Sequence, residues 1–452
     1  MAYTVNQTST GLRGSYDELI YVVKDNTQTG EAKYRYACAV TIDSTQQAIL
    51  QQLPNNADSA VFNVRNVIAQ FVHQDEGVIE LGLGNTVLLS TNSTAFKTAT
   101  IRFGHAFAVS ADAEPTLTLL PATDQSAQLV NGNFTLATSA LIDTDDSSAY
   151  VPTANTKYWL SDTPEVNGLL INYVLFDGTK RSFATLAFIN TTSSSATHIG
   201  VRYYNGQTTL STTVYANSIA NGGVPPSTVT TDSQRLLYFG VGTANLGAQL
   251  TSDINPDSSA NDGWTHYDVV LGSSTDPFTD AVSKTYRFVK LDCTRFQTAD
   301  DYYTVHWWNS KGGYDSLVFS GKPEVTQSMQ RQGFRQIGGN SFDADGDTTD
   351  YVKNAYEGGM TQAHIRTKTT LNLNTAFGDP DRLSPLMMSL VNSERVYVSP
   401  ARDFGLNANQ TNSSGYVRAY VQDNSFTNRT SVKDGLTSFA LQLEVSRYRP
   451  TR

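Results

Sequence analysis

The sequence predicts an all-β, multi-domain chain of antiparallel sandwiches with a few short covering helices, and three observations carry that prediction. Only 16% of the 452 residues are charged, against a usual share of about 25%, so the surface must be built from Ser, Thr, Asn and Gln rather than the Glu and Lys that coat helices. Twenty-three Tyr and 20 Phe accompany many Thr and Val, the side chains that suit a pleated, half-buried surface. Apolar residues also recur with a period of two. Over 34–42, Tyr34, Tyr36, Cys38, Val40 and Ile42 share one face; near the C-terminus, Phe439, Leu441, Leu443 and Val445 do the same, opposite Gln442 and Glu444.

Taken in order, the chain divides into four β domains. In the first, 1–112, Asn63 is placed to cap a short helix near 63–72 whose Val64, Val67, Ile68 and Phe71 form one apolar stripe; strand patterns resume over 87–89 and 98–109. Ala113-Glu114-Pro115 closes it. The second, 113–226, carries long loops such as the acidic run 143–148. It also holds two strand patterns, 168–176 and 182–189, joined into a hairpin by Asp177-Gly178-Thr179-Lys180. A Gly-Pro-rich stretch over 220–227 ends that domain. The third, 227–330, leads through strands at 236–241, 267–271 and 285–291 into the most distinctive segment, where Tyr303, Val305 and Trp307 alternate with Tyr302, Thr304, His306 and Trp308. A five-residue turn, 309–313, follows, with Gly312 and Gly313 predicted to supply the positive φ angles of a tight return. The fourth domain, 331–452, contains a short helix near 384–392, capped by Ser384 with Pro385 at its first position, then strands at 395–398, 416–422 and 438–446.

Charge and motif content exclude several function classes. A net charge of -10 opposes a surface that must neutralise phosphates, so no nucleic-acid partner is expected. No run approaches the ~18 apolar residues of a membrane span, and the first residues lack the basic and apolar blocks of a secretory signal, so a soluble product made in the cytoplasm is expected. Two cysteines cannot form a disulfide framework; Cys38 and Cys293 both fall in phase with strand faces and are expected as buried thiols, one long-range disulfide being left open. The six histidines never pair at metal-ligand spacing, and neither a His-Glu-x-x-His nor a Gly-x-Ser-x-Gly motif occurs. Gly240-Val241-Gly242-Thr243-Ala244-Asn245 follows a strand as a dinucleotide loop would, but Asn245 replaces the third glycine and no helix is indicated after it. Asp343, Asp345 and Asp347 alternate as calcium ligands do, yet the loop register places Ser341 at the first ligand position and Val352 where a bidentate Glu belongs. A solvated acidic turn is therefore expected, calcium being the one cofactor left open. Carboxylate pairs of the glycosidase kind leave no local signature. No catalytic residue is assigned, and the chain is expected not to be an enzyme. Trp307 and Trp308 point to opposite faces of one strand; burial of both is expected, the alternative being one exposed ring available to a sugar or a neighbouring subunit.

The hairpin of Trp307, Trp308, Asn309, Gly312, Gly313, Asp315 and Phe319 resembles a group of structural virion proteins of tailed bacteriophages, best represented in phages and prophages of marine and Bacteroidetes hosts. Weaker similarity lies in 34–38, 62–68, 158–164 and 394–398. The resemblance implies a non-enzymatic component of the tail, baseplate or neck, located in the virion, that forms a homo-oligomeric ring or collar and meets other virion proteins. The alternative is a receptor-recognising spike or fibre-like protein that holds a host-surface glycan.

Overall fold

The computed structural model describes residues 3–7, 11–25, 29–74, 87–89, 94–133, 159–177, 180–189, 198–215, 236–247, 255–272, 274, 276–281, 283–291, 302–336, 359–375, 379–399, 416–422 and 438–445. Strands dominate, three short α-helices occur among the described residues, and the architecture is the expected all-β, sandwich-like, multi-sheet one.

The first unit is a sandwich. A three-stranded sheet of Tyr3–Gln7, Ile20–Asp25 and Ser59–Asn63 covers a six-stranded sheet built around Ala32–Ile42 and Phe96–Ala108. The alternation over 34–42 does what its pattern requires: Tyr36, Cys38 and Val40 enter a core with Tyr21, Phe62, Ile101 and Phe103. Cys38 is a buried free thiol, and burial pushes its pKa up to about 12; Cys293 lies outside the described residues. The helix expected near 63–72 is a single turn, Arg65–Ile68, started by an Asn63 side chain that accepts a hydrogen bond from the Arg65 amide at 3.1 Å.

A second unit joins a seven-stranded sheet to a three-stranded one, with Tyr203, Tyr267 and Phe288 facing Leu186, Phe188 and Phe239. The expected hairpin over 168–189 forms only at its tip, Phe176↔Arg181 and Asp177↔Lys180. Ser182 then ends the ladder by accepting from the Leu175 amide, and Thr185–Ile189 crosses to the other sheet to pair Leu236–Gly240. Not every pairing is antiparallel: Leu169–Asp177 runs parallel to Thr285–Leu291, and Gln125–Val130 parallel to Gly11–Gly14. A short helix, Thr243–Gly247, does follow the strand at 236–240, contrary to expectation. Its surroundings explain the glycines without a nucleotide. A Cβ on Gly242 would collide with the 182–184 backbone, and Asn245 Oδ1 accepts from the Ala184 and Gly242 amides.

The third unit is a seven-stranded sheet from Tyr303–Trp308 to Ala440–Val445, covered by the helix Pro380–Val391. That helix begins a turn earlier than Ser384. Asp379 caps it by accepting from the Asp381 amide at 3.0 Å, with Pro380 in the first turn. Pro385 lies inside it, at the cost of one main-chain hydrogen bond near the N-terminal end. Leu386, Met387 and Leu390 pack on Leu371, Leu441 and Leu443, the face that the 438–446 pattern points inward.

Pairing crosses all three domain boundaries drawn from sequence. Gln125–Val130 joins Phe96–Ala108 across 112/113, His198–Asn205 joins His266–Gly272 across 226/227, and the strand Glu324–Gln336 straddles 330/331. Gly, Pro and acidic clusters mark where strands end, whereas sheet membership is set by pairing between distant segments. The runs 143–148 and 220–227 lie outside the described residues.

Leu443 is wholly buried between sheet and helix. Leu443→Ala is expected to cost about 2–5 kcal/mol of unfolding free energy, measured by urea denaturation, whereas Glu324→Ala on the exposed rim should cost less than about 0.5 kcal/mol.

Candidate functional site

The hairpin singled out in the sequence lies where the three units meet, with Trp308, Asn309, Gly312, Gly313 and Asp315 at the contact and Trp307 and Phe319 turned into the core of the third unit. Tyr303–Trp308 pairs Tyr314–Phe319 from Tyr303↔Phe319 to Trp308↔Tyr314, and every residue of both strands is buried. One face, with Trp307 and Phe319, belongs to the core under the helix. The other, with Trp308 and Tyr314, packs on Phe96 and Val130 of the first unit and on Leu160, Leu236 and Tyr238 of the second. Both tryptophans are buried, as expected for a strand sandwiched between layers. Trp308 keeps 6% of its surface, in the wall of the cleft described below, and donates its indole N–H to the Asn131 carbonyl at 3.1 Å, so little of the ring is left for stacking on a sugar.

The five-residue turn is shaped by Asn309, whose Oδ1 accepts from the amides of Lys311 and Gly313 at 3.0 and 2.9 Å. Gly312 adopts φ +87°, as predicted, but Gly313 does not share the positive φ. Glycine is needed at 313 for a different reason: a Cβ there would run into the Leu160 carbonyl oxygen. The turn is thus pressed against segment 159–163 on one side and 131–133 on the other, where the Asn133 amide donates to the Ser310 carbonyl at 2.7 Å.

Two carboxyl groups anchor this contact. Asp315 accepts from Ser161 Oγ at 2.5 Å, from the Asp162 amide at 2.7 Å and from Asn309 Nδ2 at 3.0 Å. Asp162 in turn accepts from the Ser310 amide and hydroxyl, both at 2.8 Å, and from Ser389 Oγ at 2.5 Å; Ser389 also receives the Trp307 indole N–H at 2.9 Å. Lys311 Nζ donates to the Ser161 carbonyl at 2.6 Å. Burial, and then the neighbouring Asp162 charge, raise the Asp315 pKa from 3.8 to about 7. His306, enclosed on the paired strand, is held neutral by burial, its pKa lowered to about 3.

Beside the turn opens a cleft of about 750 Å³, lined by Tyr16, Arg65 and Gln74 from the first unit and by Met388, Asn392 and Glu394 from the end of the helix, with Asp162 and Lys311 in its wall. Its charges are mixed. Both Asp162 oxygens are engaged by Ser310 and Ser389, and the carboxyl shifted toward neutrality, Asp315, is 2% exposed and does not line the cleft. This chemistry suits a junction that fastens sheets together better than one that moves protons on a bound substrate.

The sequence marked 158–164 only as a stretch of weaker resemblance and gave Ser161 and Asp162 no role, since short polar residues in an irregular segment have no period to show what they meet. Asp315 carried a usable signal: an isolated carboxylate inside the apolar run 314–319 must find buried donors. Asp343, Asp345 and Asp347 lie outside the described residues, and among the described residues no group of three His, Cys, Asp or Glu is placed to hold a metal. No described helix is long and apolar enough to cross a membrane. Neither a protein-family model nor a curated protein matches the chain.

Because the folded-state pKa of Asp315 lies above its unfolded value, the folded chain holds a proton that the unfolded chain releases between about pH 4 and 7. Its contribution to stability therefore falls as pH rises through that window. Asp315→Asn, which mimics the protonated group, is expected to flatten the fall in urea midpoint between pH 5 and pH 8 relative to wild type; parallel curves would contradict the assignment.

Proposed function

We propose that the chain is a non-enzymatic structural component of a tailed-phage virion, forming an oligomeric ring or collar in the tail, baseplate or neck, where it meets sister copies and other virion proteins. The observation that carries this reading is a pair of strands that end their sheets among the described residues. Thr45–Gln52 ends the six-stranded sheet of the first unit, and Thr208–Tyr215 ends the seven-stranded sheet of the second. Neither strand contains a charged residue or a proline, the usual devices that keep an edge from pairing with another chain. A monomer with two such rims is exposed to uncontrolled pairing, whereas in an assembly the rims supply main-chain hydrogen bonds to neighbours.

Two further features support the reading. The three units are fastened by a buried junction, so the body can transmit load without hinging. The low charge and Tyr-rich polar surface also suit broad, flat contacts. Together with the resemblance of the Trp-Trp-Asn hairpin to tailed-phage structural proteins, they favour a building block of the particle over an enzyme.

Electron microscopy of the purified chain is expected to reveal a symmetric multimer; a stable monomer absent from the particle would refute the proposal. Ile49→Lys and Thr208→Lys, placed on the two edges, should each reduce the assembled fraction in sedimentation velocity while leaving the thermal midpoint of the monomer unchanged.

A further inference from the structure

The helix Pro380–Val391 presents two faces to the protein. Leu383, Leu386, Met387 and Leu390 pack into the core of the third unit. One step around the helix, Pro385, Met388, Ser389 and the C-cap Asn392 recur at i, i+3, i+4 and i+7, and all four line the cleft of about 750 Å³ beside the hairpin turn. A helix face turned to open water ordinarily carries charge, whereas this one is uncharged, and Met388 in the cleft wall is 52% exposed.

Most polar groups of the cleft hold its walls together, but those around its first-unit side do not. Among the described residues the Arg65 guanidinium, the Tyr16 hydroxyl and the Asn392 side-chain amide have no hydrogen-bond or ion-pair partner. Glu394 is exposed and accepts one long bond, from Gln74 Nε2 at 3.4 Å. Tyr16 is within reach of both charges: burial and then the Glu394 carboxylate raise its pKa above the usual value, and the Arg65 guanidinium draws it back down. The cleft therefore offers a guest one guanidinium, one carboxylate, one phenol and one amide.

The charges lining the cleft cancel, Arg65 and Lys311 against Asp162 and Glu394. A polyanion would meet the two carboxylates and a basic peptide the two cations, so neither is selected. A sugar suits the whole set. Each of its hydroxyls both donates and accepts, so neighbouring hydroxyls can satisfy the guanidinium, carboxylate, phenol and amide together, while its C–H face lies on the adaptable Met388 side chain. The volume falls within the range of about 300–1,000 Å³ typical of small-ligand sites. We infer that the cleft binds a neutral oligosaccharide, its hydroxyls held by Tyr16, Arg65, Asn392 and Glu394 and one ring resting on Met388. All five residues belong to one chain, so the site is complete whether or not copies assemble.

Methyl NMR of the full chain, labelled at the methionine ε-methyl groups, reads the site directly. Met388 is one of five methionines, its signal is assigned by Met388→Leu, and Met329 and Met360, on the strands Glu324–Gln336 and Gly359–Asn374, serve as internal controls. Titration with maltotriose, cellotriose, mannotriose, galactotriose and chitotriose should shift the Met388 methyl saturably with at least one of them and leave Met329 and Met360 in place. Tyr16→Phe should weaken that binding about threefold, and Arg65→Gln or Glu394→Gln about tenfold, because the latter two remove charged hydrogen-bonding groups. Thermal midpoints should not change, since none of the three side chains holds a wall of the cleft. A Met388 methyl that none of the five trisaccharides moves, or binding undiminished in all three variants, would overturn the inference. A shift produced only by trigalacturonate, or only by the dipeptide lysyl-glutamate, would assign the cleft to an acidic sugar or to a peptide and overturn it as well.

Discussion

The constraint on which the rest of the structure depends is the burial of one hairpin on both faces. Three groups of sheets meet at Trp308 and Tyr314, and the same strands present Trp307 and Phe319 to the core beneath the helix Pro380–Val391. A strand buried on both sides cannot leave polar atoms without partners, since each would cost on the order of 1–3 kcal/mol. The turn between these strands is accordingly surrounded by donors and acceptors from segments far apart in sequence: Ser161 and Asp162, Asn131 and Asn133, and Ser389. The junction is specific because its polar atoms must be matched, and stiff because apolar rings fill the space around them.

The junction also governs the outer surfaces. A body whose sheets are locked at the centre keeps a fixed relation among its edges, and in the assembly proposed above such edges would specify the rotation between neighbours. In the proposed assembly the uncharged rims at 45–52 and 208–215 are surfaces held at set angles by that common centre. The cleft beside the turn belongs to the same geometry. It is the space left where the first unit and the helix end meet, and its polar groups are largely engaged in holding the walls.

Local pattern made some of this legible and left the rest hidden. The strict alternation of Tyr34 through Ile42 and of Phe439 through Val445 reports one-sided burial, and both segments are strands with those residues inward. The hairpin at 303–319 was legible for the same reason, and Gly312 for its turn. What alternation cannot report is which strands share a sheet. The parallel pairing of 169–177 with 285–291 joins segments 116 residues apart, and the departure of 185–189 into another sheet depends on a partner about fifty residues away. The need for glycine at 313 likewise arises from a carbonyl oxygen contributed by residue 160, which no property of the turn itself reveals. The helix start was misplaced because two residue-then-proline signals, Asp379-Pro380 and Ser384-Pro385, lie within seven residues, and it is Asp379 that accepts from the Asp381 amide at the helix start.

The central claim, that the buried hairpin joins three units into one rigid body, is most directly tested by differential scanning calorimetry of the whole chain under reversible conditions with assembly suppressed. One transition with equal calorimetric and van't Hoff enthalpies is predicted, because unfolding any unit exposes the hairpin that the others need. Two or three separable transitions would mean that the units fold independently and that the junction does not bind them together.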